Sequence, residues 1–298
     1  MDKNIAIIGL PFFGNMIAKK LQQEGIRIQY ISLDSVYNKM SAITKLYKAD
    51  IIYSIGGMVN GEFAYLLSWK PKGKIVMHWV GSDVLYALEC FKNGNYNKKL
   101  LSRSIHFAEV PWIAEELKSI GVIAEVVPLT SCELFEEPPP FPTKFRILSY
   151  FTKNRPDFYG RDVIYKLAQE FPDIDFWIVG SKAEEHPPAP ANMFFIGYCK
   201  NMKEVYAQIT LLIRITKHDG LSFMVLEALS AGRYVFWTYP LEGVIQIRSY
   251  DELKEEVVKL KRLFLEGKLS FNSLGLSLIA ERYNPERVYK NLYNKLVR

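Results

Sequence analysis

The chain of 298 residues is poor in cysteine, with only Cys90, Cys132 and Cys199, odd in number and far apart. A disulfide framework is excluded, and free thiols in a reducing compartment are expected. No run of about 18 apolar residues occurs, so no membrane-crossing helix is expected. The opening Met1-Asp2-Lys3-Asn4-Ile5-Ala6-Ile7-Ile8-Gly9 has a short apolar run and no small-residue cleavage site, so no secretory leader is expected. A cytoplasmic protein is expected. Long blocks of one charge are missing too: 38 Lys and Arg face 32 Asp and Glu, a net charge of +6, with basic residues in short groups such as Lys19, Lys20 and Lys70, Lys72, Lys74. That is not the footprint of a nucleic-acid arm; a phosphorylated ligand or an anionic membrane surface fits better. No His, Cys and Asp cluster has metal-ligand spacing, so no metal is expected. At 49% hydrophobic and 23% charged residues, disorder and collagen-like repeats are excluded.

What is present is a repeated alternation of strand and helix. Ile5 to Ile8 is a β-branched run ending at Gly9, followed after Gly14 by the helical spacing of Met16, Ile17 and Leu21. Further strands are expected at Arg27 to Ser32, Asp50 to Ile55, Lys74 to His78 and Gly121 to Pro128. At Glu136-Glu137-Pro138-Pro139-Pro140-Phe141-Pro142 four prolines in five positions preclude helix and central strand, which predicts a stiff linker. The alternation then restarts, with strands at Arg146 to Tyr150, Asp175 to Val179, Met193 to Ile196 and Leu211 to Ile215. Helices are expected over Asp162 to Glu170, Met202 to Ile209 and Ser222 to Ala231. Asn284 before Pro285 opens a terminal helix with Val288, Leu292 and Leu296 on one face, which must dock somewhere. Strands separated by helices predict parallel sheets covered on both faces, in two domains each large enough to bury its own core.

The segment Lys217-His218-Asp219-Gly220-Leu221-Ser222-Phe223-Met224-Val225-Leu226-Glu227 sets two acids eight positions apart around a Gly turn. A helix starting near Ser222 offers backbone N–H groups and a positive dipole end to a diphosphate, through Gly220, Leu221 and Ser222. Glu227 lies within reach of a ribose hydroxyl and Asp219 of a sugar ring, since each carboxylate accepts two hydroxyl bonds. A surface Asp-Gly turn before a buried helix is the alternative reading of the same spacing.

This segment, with the Ala228-Leu229-Ser230-Ala231-Gly232 that follows, resembles the Glu-x7-Glu motif of retaining GT-B glycosyltransferases of family 4, group 1. The resemblance implies two doubly wound Rossmann-like α/β domains facing across a cleft and a nucleotide-diphosphate sugar as donor, with no cofactor and no metal. In that family the first acid contacts the donor sugar and the second the ribose; here Asp219 replaces the first glutamate, one methylene shorter. His78-Trp79-Val80-Gly81-Ser82-Asp83 is similar to the histidine-bearing loop opposite the donor sugar, which assigns His78 to hydrogen bonding of that sugar. Gly9 to Gly14 stands where the family has a flexible glycine loop beside donor and acceptor. Gly121 to Pro128 resembles the last strand before the linker.

Departure of the leaving group builds negative charge on the β-phosphate, and fixed cations stabilise it. Lys153, Arg155 and Arg161 are the candidates, Arg155 foremost because a guanidinium grips phosphate bidentately, while Tyr159 stands where the family commonly has a lysine. The expected organisation is an acceptor domain over 1–135, a linker over 136–143, a nucleotide-sugar domain over 144–280 and a helix over 281–298 crossing back to the first domain. A hydroxyl acceptor is the expected second substrate, and Asn97 to Arg103 with exposed aromatics of the first domain offers peripheral contact at the inner membrane face. Two other readings remain at this point. One is an NAD-dependent oxidoreductase, with Asp34 near the end of the second strand but without Gly-x-Gly-x-x-Gly spacing. The other is a GT-B scaffold that binds nucleotide or sugar without transfer.

Overall fold

Continuous apolar runs become strands buried on both faces. The computed structural model describes residues 3–33, 36–130 and 134–298, so Asp34 and Cys132 lie outside the described residues. Two units emerge, Met1–Ser131 with Pro285–Arg298, and Cys132–Asn284.

In the first unit the chain runs β1 (Ile5–Gly9), α1 (Pro11–Gln23), β2 (Ile28–Tyr30), α2 (Val36–Lys48), β3 (Ile51–Ile55) and α3 (Glu62–Ser68). It continues through β4 (Lys74–Trp79), α4 (Ser82–Lys92), α5 (Lys98–Arg103), β5 (Ile105–Ala108), α6 (Pro111–Lys118) and β6 (Glu125–Val126). All six strands are parallel, in the order β2-β1-β3-β4-β5-β6. Ile5, Ile7, Tyr53, Val76 and Phe107 from the sheet meet Ile17 and Leu21 of α1 in one core. The strand β5 escaped the sequence reading because His106 interrupts its apolar run.

In the second unit β7 (Arg146–Tyr150) leads through a 3-10 turn over Pro156–Tyr159 to α7 (Arg161–Glu170), then β8 (Asp175–Val179) and β9 (Met193–Gly197). There follow α8 (Met202–Ala207), β10 (Leu211–Arg214), α9 (Phe223–Ser230), β11 (Tyr234–Trp237), β12 (Ile245–Gln246), α10 (Tyr250–Leu265) and α11 (Ser273–Arg282). The sheet is again parallel and six-stranded, ordered β12-β11-β10-β7-β8-β9.

The proline-rich segment is held against the second unit. Its prolines donate nothing, but the carbonyl of Pro140 accepts from Nη2 of buried Arg233 at 2.9 Å, and that guanidinium lies 5.0 Å from the ring centroid of Phe141. Phe141 in turn packs on Phe271.

The terminal helix α12 (Pro285–Val297) belongs to the first unit. Tyr289, Leu292 and Leu296 enter the core around Ile5 and Tyr53. Nζ of Lys74 donates to the carbonyls of Lys295 and Leu296 at 3.0 and 3.1 Å, satisfying acceptors at a helix end that has none of its own N–H groups left to bond them.

Candidate functional site

In the second sheet β7 and β10 are neighbours, and the chain leaves them in opposite directions: β7 to β8 and β9, β10 to β11 and β12. Such a reversal opens a crevice at the carboxyl ends of the two strands, where open α/β sheets take their ligands. The loops after β7 and β10 are fastened to each other there. The N–H of Lys217 donates to the carbonyl of Phe158 at 2.9 Å. Gly160 has φ +67°, and a Cβ on it would stand 2.7 Å from Cβ of Ile215, so only glycine lets α7 begin this close to β10.

Arg214, the last residue of β10, forks onto Asp219: Nε to Oδ2 at 2.5 Å and Nη2 to Oδ1 at 3.2 Å. Its guanidinium stands 5.5 and 5.7 Å from the ring centroids of Tyr150 and Tyr159, which meet edge-to-face at 4.9 Å. Burial pulls the guanidinium pKa down, but the charge and hydrogen bonds of Asp219 outweigh it and hold Arg214 above its ordinary value. Burial raises the Tyr150 phenol, so that ring stands as a neutral wall beside the charged pair. Sequence reasoning passed over Arg214; the available signal was a charged residue ending an apolar strand five positions before Asp219.

Glu227 sits one turn into α9. Its Oε2 accepts from the hydroxyl of buried Tyr206 at 2.7 Å, and Nε of Arg233 bonds the Tyr206 carbonyl at 2.9 Å. The carboxylate is thereby steered from α8, a second contribution that spacing did not reveal. Ser222, in extended conformation at the N-cap, makes no side-chain cap to the helix; its carbonyl accepts from Val225 and Leu226. Gly220, Leu221 and Ser222 are all buried in this turn.

The three expected cations differ in their partners. Exposed Lys153 pairs with Glu185 of the loop after β8 at 3.8 Å. Arg155, also exposed, lays its guanidinium 4.4 Å from the ring centroid of Phe158. Arg161 is held by Asp157 at 2.9 Å and Asp162 at 3.0 Å, two carboxylates against one guanidinium.

In the first unit the expected histidine is walled in. His78 has no solvent exposure; its Nδ1 is 2.6 Å from the Tyr53 hydroxyl and its Nε2 2.8 Å from the Val127 carbonyl. Since a carbonyl only accepts, Nε2 carries the proton and Nδ1 accepts from Tyr53. Burial lowers its pKa to about 4, so the ring is neutral, and neither nitrogen remains for a sugar hydroxyl. The expected flexible loop over Gly9 to Gly14 is a helix start instead. Pro11 occupies the first turn of α1, a position that suits its fixed φ, and Gly14 packs inside the helix against the Tyr30 ring. Gly9 itself, at φ +100°, has no room for a side chain: a Cβ would lie 1.9 Å from the Ile55 carbonyl oxygen. At the same edge Asp83, whose pKa burial raises to about 6, accepts the Gly57 N–H at 2.7 Å and the Val80 N–H at 3.2 Å, joining the loops after β3 and β4.

No family model and no curated protein matches the sequence. Solved structures do. Anabaena HepE, in complex with UDP and glucose, is similar over 99% of both chains with a TM-score of 0.67 and 12% identity. Sucrose-phosphate synthase of Thermosynechococcus elongatus is similar over 99% of both chains, with a TM-score of 0.68 and 10% identity. The fold is GT-B. The pneumococcal O-GlcNAc transferase GtfA, in complex with UDP and GlcNAc, gives a TM-score of 0.61 at 12% identity; 87% of this chain spans only 59% of it. At these identities the likeness is one of fold.

Within its GT-B frame the second unit gathers Asp219, Gly220, Leu221 and Ser222 with the turn carrying Arg155 and Arg161 at one switch point, and Glu227 follows in α9. It ties Asp219 to Arg214 and does not leave it alone. Among the described residues no three His, Cys, Asp or Glu side chains come together as a metal site.

Proposed function

We propose that the chain is a glycosyltransferase that takes a sugar from a nucleotide-diphosphate donor and delivers it to an acceptor hydroxyl with retention of configuration. The observation that carries the reading is the β7/β10 switch point with an acid on each side of the α9 start. In this reading Glu227 accepts from the ribose hydroxyls, the backbone of Gly220, Leu221 and Ser222 receives the diphosphate, and Lys153 and Arg155 balance its charge. Asp219, aimed by Arg214, meets the donor sugar. The bond from the anomeric carbon to the β-phosphate oxygen breaks, the acceptor oxygen bonds the same face, and its proton passes to that phosphate oxygen, so no protein base is required. Support comes from UDP with a sugar in the similar HepE and GtfA, and from the free thiols of Cys90 and Cys199, which suit a reducing cytoplasm.

One observation favours a second reading, a nucleotide-binding GT-B protein without transfer: both carboxylate oxygens of Asp219 are engaged by Arg214. Thermal stabilisation by millimolar UDP, GDP, ADP and NAD separates the cases, because a ligand that binds only the folded state stabilises it by RT ln(1 + [L]/Kd). A shift with one nucleoside diphosphate, with turnover of the matching nucleotide sugar, supports transfer. That shift without turnover of any donor supports the second reading, and a shift with NAD alone refutes both.

A further inference from the structure

Because every strand of the first sheet is parallel, the segments that enter its strands collect on one edge, opposite the edge of His78 and Asp83. Residues 45–50 lead into β3, 69–74 into β4, 97–105 into β5 and 118–125 into β6. These four segments hold nine Lys and Arg against two acids, Asp50 and Glu125. Both acids are engaged, Asp50 by the N–H of Asn4 at 2.8 Å and Glu125 by Lys295. The excess is not a property of the whole chain. Counted by unit, the first carries 19 basic residues against 12 acidic and the second 19 against 20, so the entire net positive charge lies in the first.

Three of the basic residues, Lys74 on the carbonyls of α12, Arg103 and Lys70, are structural and make the edge rigid. Nη1 of Arg103 bonds the carbonyls of Ser68 and Lys70 at 3.1 and 2.7 Å, closing the end of α3. Buried Lys70 bonds the carbonyls of Tyr47 and Lys72. The others point outward: Lys45, Lys48, Lys72, Lys98, Lys99 and Lys118 are exposed. Between them stand large apolar side chains that a folded domain normally hides, Trp69 at 59%, Ile105 at 42% and Ile123 at 74% exposure. Between Lys98 and Ile123 the surface dips into a groove of about 400 Å³ bordered by the stacked rings of Phe91 and Tyr96.

We propose that this edge docks the protein on a membrane surface containing anionic lipid. Lysines on flexible stems meet scattered headgroup charges, a tryptophan prefers the interfacial layer, and isoleucines reach the acyl boundary. Nucleic acid fits the same charge less well. Lys99 sits 3.1 Å over the Trp69 ring and covers a face that a base would stack on, Arg103 is turned inward, and isoleucine has no partner among phosphates and bases. Docked in this way, the carboxyl edge of the first sheet faces away from the bilayer.

The test is co-sedimentation of the full chain with vesicles of phosphatidylcholine alone and with phosphatidylserine added. Binding is expected only with the anionic lipid, and it weakens with salt. Each lysine contributes a factor of about five in partitioning, so Lys98→Gln with Lys99→Gln lowers it roughly 25-fold. The pair Lys45→Gln with Lys48→Gln, on a different element, does the same by a comparable factor. Brominated lipid quenches tryptophan emission, and Trp69→Tyr removes most of that quenching. Absence of binding to the anionic vesicles, equal binding to both vesicle types, or wild-type partitioning in both double variants overturns the proposal. So does full displacement of vesicles by an equimolar oligonucleotide, which assigns the edge to nucleic acid.

Discussion

Substituting Arg214 by methionine removes the guanidinium and leaves the Asp219 carboxylate among buried neighbours. The side chains of Arg214 and Asp219 are only 11% and 14% exposed, so solvent compensates little for the loss. Breaking one side of a pair buried to this degree costs about 3–5 kcal/mol. In a unit of this size each kcal/mol moves the midpoint by roughly 2–4 °C, so its unfolding transition falls by at least about 6 °C. Asp219→Leu alone strands the guanidinium between Tyr150 and Tyr159 and acts in the same direction. The double variant is the decisive member, because replacing a whole buried pair with apolar residues is often neutral. Its stability should return to within about 1 kcal/mol of the wild type, a coupling larger than either side chain's packing loss. Calorimetry and urea unfolding of the four proteins give the cycle. A single variant that costs less than about 1 kcal/mol, or additive losses in the double variant, would falsify the claim that Arg214 and Asp219 act as one unit.

Glu227→Ala should weaken binding of the cognate nucleoside diphosphate by about 10-fold to 100-fold while far-UV dichroism stays unchanged, since a hydrogen bond to a charged group is worth about 1.5–3 kcal/mol; undiminished affinity by calorimetric titration would sink the ribose assignment. Gly160→Ala places a methyl group against Ile215 at a positive φ and should cost about 1–3 kcal/mol, with a Tm equal to wild type as the contrary result. Asp83, raised to about 6 by burial, lends stability that is present below pH 4 and lost as pH rises through 6. His78, lowered to about 4, does the reverse, with stability present above pH 6.5 and lost as pH falls through 4. Each amounts to roughly 3 kcal/mol over its window, so the two oppose each other and the wild-type stability of the first unit should change little between pH 4 and 6.5. Asp83→Asn removes one side: urea midpoints should then fall steeply on acidification, and a profile parallel to wild type speaks against the burial of either charge.

Tyr234–Trp237 was passed over although wholly apolar, but other strands dense in apolar residues, such as Ile51–Ile55, Arg146–Tyr150 and Leu211–Arg214, were legible from composition alone. Ile105–Ala108 was not, because a histidine bonded to Trp79 and to the Leu101 carbonyl sits in its middle. Nor was Ile245–Gln246, two residues that owe their strand state to pairing with β11. The same division holds at the site. The spacing of Asp219 and Glu227 is a local property of a turn and a helix, and both lie where that spacing predicts. The partners of these acids are not local. Arg214 reaches Asp219 because the loop after β10 folds back on the strand end, and Tyr206 reaches Glu227 from another helix. His78 shows the limit most clearly: its place at a strand's end was legible, but the carbonyl that bonds it belongs to Val127, nearly fifty residues on and beyond β5 in the sheet.

The docking of α12 on the first sheet has a consequence for the order of synthesis. A ribosome releases residues 3–130 first, yet Tyr289, Leu292 and Leu296 are needed to close the core around Ile5, Ile7 and Tyr53. The second unit, continuous from Cys132 to Asn284, emerges with all of its own sequence and can complete itself while the first still waits. During that interval the pocket for α12 is an open apolar trough. A nascent chain arrested before Pro285 should therefore present a protease-resistant second unit and a protease-sensitive first one, and trigger-type chaperones that bind exposed apolar surface would engage the older half of the molecule rather than the newer.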